Sequence, residues 1–470
     1  MKTRVVIFLI AFCLIGATGT LSWAKDNGNN NGNNGNHNGN GNNKDDDFPQ
    51  NASFTTLKDA ANPANSLLLP FAIEGLTGDA SGNLYTTGRQ PDTTKLCPVW
   101  KIAISGLNAT KTTIGFIPNN PACNPSGITF DAAGSLYIAD AASGGNVRKV
   151  VPNGTSCASD DSTDPTCSGV PQSTNYATNV PGTNGLAFDA DGNLWTGDGT
   201  TGQGRVWKIG VGGGNCLPPT PTGCAEVFRI QPMRNGTALG GDITAPAPAA
   251  APTQGVGRQN STFPHTVATG NPQDLVANGV AFDDDGDMFV IDSARGALWK
   301  INFDRNGNPK LHTGCDSTFT DNTLCLDHVY VAHPVLEGGD GIALDVAGNV
   351  YVDANERQAV AVVTNDGRVI EVFRNPVNAA GFRNTGDTAA ANTHIVEFPT
   401  SPFISGRRFC TAQSDGNRRD NFPQSGGEIN AGAALANPDP GKRAKISCMT
   451  DATTGNLIQL DIPGLPLPVH

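Results

Sequence analysis

Residues 126–140 read Ser-Gly-Ile-Thr-Phe-Asp-Ala-Ala-Gly-Ser-Leu-Tyr-Ile-Ala-Asp, and this pattern recurs along the chain. Four other segments align with it without gaps, at 74–88, 184–198, 278–292 and 340–354. Each begins with a polar residue and Gly, has Asp at its sixth position and Gly at its ninth, and continues into an apolar run. Asp-x-x-Gly predicts a tight turn, because glycine readily adopts the positive φ that such turns require. Every segment is therefore predicted to form a β-hairpin.

Further strands are predicted after most of these hairpins. Third strands are predicted at 146–150, 205–209, 297–301 and 359–364, and fourth strands at 225–230, 327–332 and 369–373. Four antiparallel strands repeated along a chain form the blades of a propeller. With a sixth unit from about His394 to Asp461, the sequence predicts an all-β, six-bladed β-propeller of four-stranded antiparallel blades. Segments 64–73 and 455–462 are both candidates for the strand that closes the ring.

Composition agrees with this architecture and excludes several classes of protein. The 470 residues include 57 Gly and 32 Pro, and only 16% are charged, which excludes a helical bundle or coiled coil. The formal net charge is −12, so the surface repels phosphate backbones and no nucleic-acid partner is expected. The surplus of carboxylates is compatible with binding a divalent cation.

The start of the chain predicts export. Lys2 and Arg4 precede the apolar run Val5–Gly16, and Ser22-Trp23-Ala24 offers small residues for cleavage, so residues 1–24 are predicted to be a signal peptide. Residues 25–47 are predicted to be a disordered Asn/Gly-rich leader. The propeller then occupies 48–470, with an insertion around 242–271. No later apolar run is long enough to span a membrane. We expect a secreted or periplasmic monomer.

Ten cysteines follow the predicted signal peptide, and an even number in an exported chain predicts disulfides. They are Cys97, Cys123, Cys157, Cys167, Cys216, Cys224, Cys315, Cys325, Cys410 and Cys448. Three close pairs, at 157/167, 216/224 and 315/325, lie between predicted third and fourth strands. Each pair is predicted to close one hairpin loop, which gives a disulfide-stapled propeller.

The first residue of each repeated segment, which we call the leader residue, is the strongest candidate for chemistry. The leader residues are Glu74, Ser126, Asn184, Asn278 and Asp340. Equivalent positions in a closed radial array lie on one ring, and these positions start the innermost strands. They are therefore predicted to face the top of the central channel. Their carboxylate and amide oxygens suit Ca²⁺, or else Mg²⁺ or Mn²⁺. The alternative is a water-filled channel lined by polar side chains.

The strand starts Glu74-Gly75, Asn278-Gly279 and Asp340-Gly341 resemble those of the SMP-30/gluconolactonase/luciferin-regenerating family, with NHL-like hairpins between them. Members of that family are six-bladed propellers that hold one divalent cation through Glu, Asn and Asp and hydrolyse lactones. The resemblance implies that Glu74, Asn278 and Asp340 are metal ligands. It implies that Asn184 is a further ligand or a substrate contact, and Ser126 a substrate contact. The chain departs from the family where Gly185, rather than Asp, follows Asn184.

The function implied by this resemblance is a metal-dependent lactonase or esterase-like hydrolase. Its cofactor would be a divalent metal, most simply Ca²⁺, and its substrate a small lactone or ester. Asp340, or an acid not identified from the sequence, is the candidate catalytic base, since a carboxylate beside the metal could take a proton from the attacking water. The alternative is a non-catalytic NHL-type propeller that binds a protein or a glycan.

Other acidic and basic residues are predicted to be structural. The turns at 189–192 and 283–287 resemble the start of an EF-hand loop but lack its twelfth-position Glu. Asp140, Asp198 and Asp292 are predicted to cap loop amides. Five histidines of the propeller region share no recurring position and are assigned to loops: His265, His312, His328, His333 and His394.

Overall fold

The computed structural model describes residues 48–49, 51–119, 122–142, 144–201, 203–217, 221–231, 277–293, 295–317, 319–336, 338–355, 358–374, 396, 398–414 and 444–466. The predicted signal peptide (1–24), the predicted Asn/Gly-rich N-terminal segment (25–47) and the predicted insertion (242–271) lie outside these residues.

The described strands form six sheets, which we number as blades 1–6 and list from the innermost strand outwards. Blade 1 contains Thr77–Gly78, Leu84–Thr87, Cys97–Ser105, Asn108–Ile117 and Lys58–Asp59. Blade 2 contains Pro125–Phe130, Leu136–Asp140, Asn146–Val150, Thr174–Thr178 and Gly214–Asn215. Blade 3 contains Thr183–Phe188, Leu194–Asp198, Arg205–Ile209 and Cys224–Arg229.

Blade 4 contains Val280–Phe282, Met288–Asp292, Ala297–Ile301 and Val329–Ala332. Blade 5 contains Gly339–Leu344, Val350–Ala354, Ala359–Val363 and Val369–Arg374. Blade 6 contains Pro399–Ser405, Arg408–Gln413, Lys445–Asp451 and Ala52–Thr56. Short 3₁₀ helices lie at Pro165–Cys167, Leu326–His328 and Pro334–Leu336. The six-bladed, all-β architecture is confirmed.

Two blades have a fifth strand that the sequence did not predict. Lys58–Asp59 pairs in parallel with the outer strand of blade 1, and Gly214–Asn215 pairs in parallel with the outer strand of blade 2. Both two-residue strands follow directly from a segment of an adjacent blade. They are therefore places where the chain crosses the outer edge of a neighbouring sheet.

The strand that closes the ring is neither of the two candidates from the sequence. Ala52–Thr56 pairs antiparallel with Lys445–Asp451, so the beginning of the propeller completes the blade formed by its end. The Phe54 ring packs edge-on against Phe373 of blade 5 at 5.2 Å and Phe409 of blade 6 at 5.9 Å. One buried aromatic side chain thus fastens the closing strand to two blades.

The repeated Asp holds its turn and also the aromatic residue that follows. Asp189 Oδ1 accepts from the backbone N–H of Asn193 at 2.8 Å, and Asp189 Oδ2 accepts from Trp195 Nε1 at 2.8 Å. The Trp195 ring then packs on Phe282 of the next blade, 6.1 Å away. The same turn residue therefore fixes the hairpin and positions the side chain that joins two blades. These contacts confirm that 189–192 is a turn.

The innermost strands approach one another through the glycines that follow the leader residues. A β-carbon at position 127 would lie 2.2 Å from the carbonyl oxygen of Asn184, and one at position 279 would lie 2.6 Å from that of Asp340. A β-carbon at Gly341 would lie 2.6 Å from the carbonyl oxygen of Thr400. Because backbone atoms occupy that space, only glycine fits at these places. Thr400 is thus the sixth member of the ring.

Five disulfides connect the described cysteines: Cys97–Cys123, Cys157–Cys167, Cys216–Cys224, Cys315–Cys325 and Cys410–Cys448. The three close pairs predicted from the sequence are confirmed. The first disulfide joins blade 1 to the chain entering blade 2, and the last joins two neighbouring strands of blade 6. Among the described residues, no helix has the length and apolar character needed to cross a membrane.

We expect Gly127→Ala to destabilise the propeller, because the added methyl group would meet the Asn184 carbonyl oxygen 2.2 Å away. Overpacking of this kind lowers the free energy of unfolding by about 1–3 kcal/mol. Urea denaturation would measure the loss. Gly210→Ala is the control, since its β-carbon would lie 3.3 Å from its nearest neighbour. If Gly127→Ala lowered the free energy of unfolding no more than Gly210→Ala, the ring would tolerate a side chain at position 127.

We expect Phe54→Ala to lower the free energy of unfolding by about 3–5 kcal/mol, the usual cost of removing a buried phenyl ring. Its partners lie in blades 5 and 6, so the loss reports closure by the first strand of the propeller. Ser53→Ala, one residue earlier on the same strand, should change stability little. A mild effect of Phe54→Ala would mean that another segment closes the ring.

Candidate functional site

Ser126, Asn184 and Asp340 lie in the innermost strands, Glu74 and Asn278 stand just before theirs, and all five are nearly buried. Ser126, Asn184, Asn278 and Asp340 are each at most 6% exposed, and the Glu74 side chain is 16% exposed. The glycine contacts give the order of the ring as 74, 126, 184, 278, 340 and 400. Thr400 Oγ1 donates to the Glu74 carbonyl oxygen at 2.7 Å and so completes the circle. In this order Asn278 and Asp340 are neighbours, whereas Glu74 lies across the ring from Asn278.

A second set of residues, which we call the partner positions, follows each leader residue after a fixed interval of fifteen residues. Arg89 pairs with Glu74, Ser293 with Asn278, and Asn355 with Asp340. The equivalent residues of blades 2 and 3 are Ala141 and Gly199. These partners were not predicted from the sequence, because each lies one position beyond its repeated fifteen-residue segment.

The side chain of Asn278 has a fixed orientation. Ser293 Oγ donates its hydrogen to the Gly339 carbonyl oxygen, so the hydroxyl can only accept from Asn278. Asn278 Nδ2 therefore donates to Ser293 Oγ, at 3.2 Å. Asn278 Oδ1 is left buried, and the described residues offer it no hydrogen-bond donor. An unsatisfied buried carbonyl oxygen costs free energy, and a cation would satisfy it.

Asp340 is the next side chain around the ring. Its Oδ2 accepts from Asn355 Nδ2 at 2.9 Å, and the backbone N–H of Gly279 donates to its carbonyl oxygen at 2.8 Å. The carboxyl group is thus anchored beside the strand that carries Asn278. Carboxylate and amide oxygens are ligands that hard divalent cations prefer.

Asn184 and Ser126 occupy the opposite side of the ring from Asp340 and Thr400. The Asn184 amide lies against the α-carbon of Gly199, where a β-carbon would approach its Nδ2 to 2.4 Å. Ser126 Oγ donates to the Thr183 carbonyl oxygen at 3.3 Å. Glycine at the partner position therefore leaves room for the Asn184 side chain, while the Ser126 hydroxyl is engaged with the backbone.

Glu74 differs from the other predicted ligands because a cation of the protein already neutralises it. Arg89 Nη2 donates to Glu74 Oε2, and Arg89 Nε donates to the Pro125 carbonyl oxygen at 3.3 Å. The guanidinium thus connects the leader residue of blade 1 to the entry of blade 2. Of the four predicted ligands, Asn278 has a buried side-chain oxygen that no donor among the described residues reaches, whereas Glu74 is paired with Arg89.

Two further groups of acids are structural. Asp140 accepts from the backbone N–H of Asn124 at 3.0 Å, and Asp198 accepts from that of Thr201 at 2.9 Å, as loop caps do. Asp353 is fully buried and accepts from Thr411 Oγ1 of blade 6. Burial raises the pKa of Asp353 well above the usual carboxyl range.

Within the described part of the chain, one group of three His, Cys, Asp or Glu side chains has metal-ligand spacing, namely His312, Cys315 and Cys325. It lies outside the channel, and both of its sulfur atoms belong to one disulfide. His312 was assigned to a loop from the sequence, and its proximity to the two cysteines was not predicted. A metal at the leader residues must therefore use amide as well as carboxylate oxygens.

Comparison with known proteins gives one family match. The SMP-30/Gluconolactonase/LRE-like region matches residues 247–381, which include the leader residues Asn278 and Asp340. A search among curated proteins found no match.

Three solved structures illustrate the range of similar folds. A PQQ-bound aldose sugar dehydrogenase from Streptomyces coelicolor is 14% identical, with 86% of this chain and 100% of that chain covered and a TM-score of 0.45. Regucalcin from Agrobacterium tumefaciens, described as a calcium-binding protein, is 16% identical, with coverages of 90% and 98% and a TM-score of 0.42. A putative gluconolactonase is 12% identical, with coverages of 89% and 96% and a TM-score of 0.41.

The family match and the six blades confirm the resemblance seen in the sequence, so the chain is a six-bladed β-propeller similar to the SMP-30/gluconolactonase/LRE-like family.

Proposed function

We propose that the leader residues bind a divalent cation, most simply Ca²⁺, and that the protein is a lactonase or esterase-like hydrolase. The observation that carries this proposal is Asn278 Oδ1, which is buried and has no donor among the described residues. Asn278, Asp340 and Asn184 would hold the ion. The match to the family over 247–381 supports the choice of chemistry, since it covers two of these three residues.

The bound cation would polarise the carbonyl group of a lactone or ester and favour ionisation of water. Asp340 would take the proton of the attacking water, and Asn355, which donates to Asp340 Oδ2 at 2.9 Å, would keep the carboxylate oriented. Ser126 and Asn184 would contact the substrate. Burial of these side chains limits access of bulk water and strengthens their interactions with a polar ligand.

The same proposal includes an exported, monomeric protein. Five disulfides among the described residues support an oxidising compartment, that is, a secreted or periplasmic location. Residues 1–24 would be the signal peptide, and residues 48–470 would form one domain.

A second candidate function is a non-catalytic propeller that binds a protein or glycan at the channel mouth. The Glu74–Arg89 ion pair favours it, because one of the two acidic leader residues is neutralised without any metal. The two candidates differ in their response to calcium, which should stabilise the hydrolase and leave the binding protein unchanged.

We expect Ca²⁺ to raise the melting temperature of the protein and a chelator to reverse the rise. Ligand at a hundred times its Kd stabilises by about 2.7 kcal/mol. Asp340→Asn and Asn278→Leu should abolish the rise, because each removes an oxygen donor or its charge. Asp366→Asn is the control, since Asp366 is an exposed acid of the same blade. A rise that persists in both ring variants would exclude this metal site.

We expect the calcium-loaded protein to acidify a weakly buffered mixture of aldono- and alkyl lactones, and Asp340→Asn to lose this activity. Acid release recorded with a pH-stat measures the reaction. Undiminished hydrolysis by metal-depleted protein would remove the proposed mechanism. Calcium binding without hydrolysis of any lactone or ester would leave a metal-binding propeller as the function.

We expect Arg89→Met to tighten calcium binding by about tenfold, or ~1.4 kcal/mol. The variant frees the Glu74 carboxylate and removes a positive charge from the ring. Titration calorimetry measures the change. Arg148→Met is the matched control, because Arg148 forms a similar ion pair with the buried Asp140 at 3.0 Å, away from the leader residues. Weaker or unchanged binding by Arg89→Met would show that Glu74 takes no part in holding the ion.

A further inference from the structure

The loop between the third and fourth strands of blade 4 contains an acid, a histidine and a disulfide in line. Asp327 Oδ2 lies 2.8 Å from His312 Nδ1, and His312 Nε2 lies 3.5 Å from Cys315 Sγ. The imidazole nitrogen and both sulfur atoms of Cys315–Cys325 lie within 4.8 Å of one another. The arrangement is independent of the channel and of any metal bound there.

The loop backbone fixes this arrangement. The His312 N–H donates to His328 Nε2 at 2.9 Å, and the Cys325 N–H donates to the His312 carbonyl oxygen at 2.9 Å. His328 Nδ1 lies 3.3 Å from the Lys300 carbonyl oxygen, so His328 donates there and accepts at Nε2. The chain segments that carry His312 and Cys325 are thus held side by side.

Cys315 differs from the other nine described cysteines, because it alone is exposed. The other nine are buried, each at most 8% exposed, including Cys325 at 4%. Disulfide exchange requires a sulfur atom that an incoming thiolate can reach. This disulfide therefore has one accessible and one protected sulfur atom.

The histidine gives the accessible sulfur a chemical partner. With Nδ1–H donating to Asp327, the lone pair of His312 Nε2 faces Cys315 Sγ. In the reduced protein the imidazole can take the thiol proton, and the resulting imidazolium stabilises the thiolate beside it. Asp327 in turn stabilises the imidazolium. Stabilising the reduced form makes a disulfide easier to reduce.

We propose that Cys315–Cys325 is an exchangeable disulfide that accepts electrons from dithiols, with Cys315 as the reactive sulfur and His312 as its acid–base partner. Asp327 is a positioning residue that acts through His312. This assigns a thiol–disulfide exchange site to the loop of blade 4, separate from the channel function.

The reaction proceeds in two displacements. A thiolate of the dithiol attacks Cys315 Sγ, the Cys315–Cys325 bond breaks, and Cys325 leaves as a thiolate that takes up a proton. His312 Nε2 then takes the proton of the second thiol, and the resulting thiolate attacks the dithiol sulfur of the mixed disulfide, which closes the dithiol into a disulfide. Cys315 leaves as a thiolate beside the His312 imidazolium. Two electrons pass from the dithiol to the protein in the complete reaction.

The test uses the intact oxidised protein and dithiothreitol as the dithiol. Samples are alkylated at intervals, and the modified cysteines are identified by peptide mass mapping. We expect Cys315–Cys325 to be reduced first, while Cys216–Cys224 stays oxidised. That pair is the matched control, because it closes the equivalent loop of blade 3 but both of its cysteines are buried.

The variants separate chemistry from structure. His312→Gln should slow reduction of Cys315–Cys325 by roughly tenfold, because no imidazolium then stabilises the thiolates that form when the disulfide is reduced. The melting temperature of the oxidised protein should hardly change, because the His312 side chain is 62% exposed. Asp327→Asn should slow reduction less, and it serves as the second variant should His312→Gln fail to fold.

The rate of Cys315 alkylation as a function of pH distinguishes the acid–base role from packing. Asp327, His328 and the two sulfur atoms face His312. We expect the reduced wild-type protein to react well below the ordinary thiol pKa of ~8.5, and His312→Gln to move the profile up towards that value. Reduction no faster than that of Cys216–Cys224, or rates and profiles unaffected by His312→Gln, would overturn the proposal.

Discussion

The structure depends on the close approach of backbone to backbone around the channel. At the glycine after each of the leader residues from Ser126 to Asp340, the α-carbon meets the carbonyl oxygen of the next ring member, with no space for a β-carbon. Repulsion between atoms is steep, so this contact limits how near neighbouring blades can come. The aromatic residues between blades act further out, where Trp195 meets Phe282 and Tyr137 meets Phe188. The glycines thus allow the innermost strands to approach closely, and the aromatic side chains fill the space between neighbouring sheets farther from the channel.

This constraint also explains why the residue type varies at the leader positions. The backbone of each leader residue is occupied in holding the ring, while its side chain is not needed for that purpose. Its identity can therefore follow the chemistry of the channel, provided that its polar atoms find partners. The partner positions supply them from the end of the second strand: Arg89, Ser293 and Asn355 each contact the leader residue of their own blade. A hairpin of fixed length thus delivers a pair of side chains, rather than one, to the channel.

The fold could be predicted from the sequence because the repeat is gapless over its two inner strands, where turn and spacing are local properties. Blade 6 lacks this signal, because Thr400 is followed by Ser401 and Pro402 instead of glycine and an aliphatic residue. The place of Thr400 in the ring therefore could not be recognised from the sequence. The closing strand is equally hard to predict, because Ala52–Thr56 pairs with residues almost four hundred positions away. The leader residues could be located in the sequence, because each stands five positions before the repeated Asp. The pairing of Glu74 with Arg89 could not be predicted, because a single sequence does not show which polar side chain a carboxylate contacts.

That pairing divides the ring into two chemically different halves. On one side, Arg89 joins Glu74 to the entry of blade 2, so acid, cation and backbone carbonyl satisfy one another. On the other side, Asn278 presents a carbonyl oxygen that no described donor reaches, beside the acid Asp340. A polar group without a partner is costly in a protein interior, and a bound ligand is one way to satisfy it. Under the proposed metal function, the ion would therefore contact the side of the ring formed by blades 4 and 5, which are also the blades within the family match.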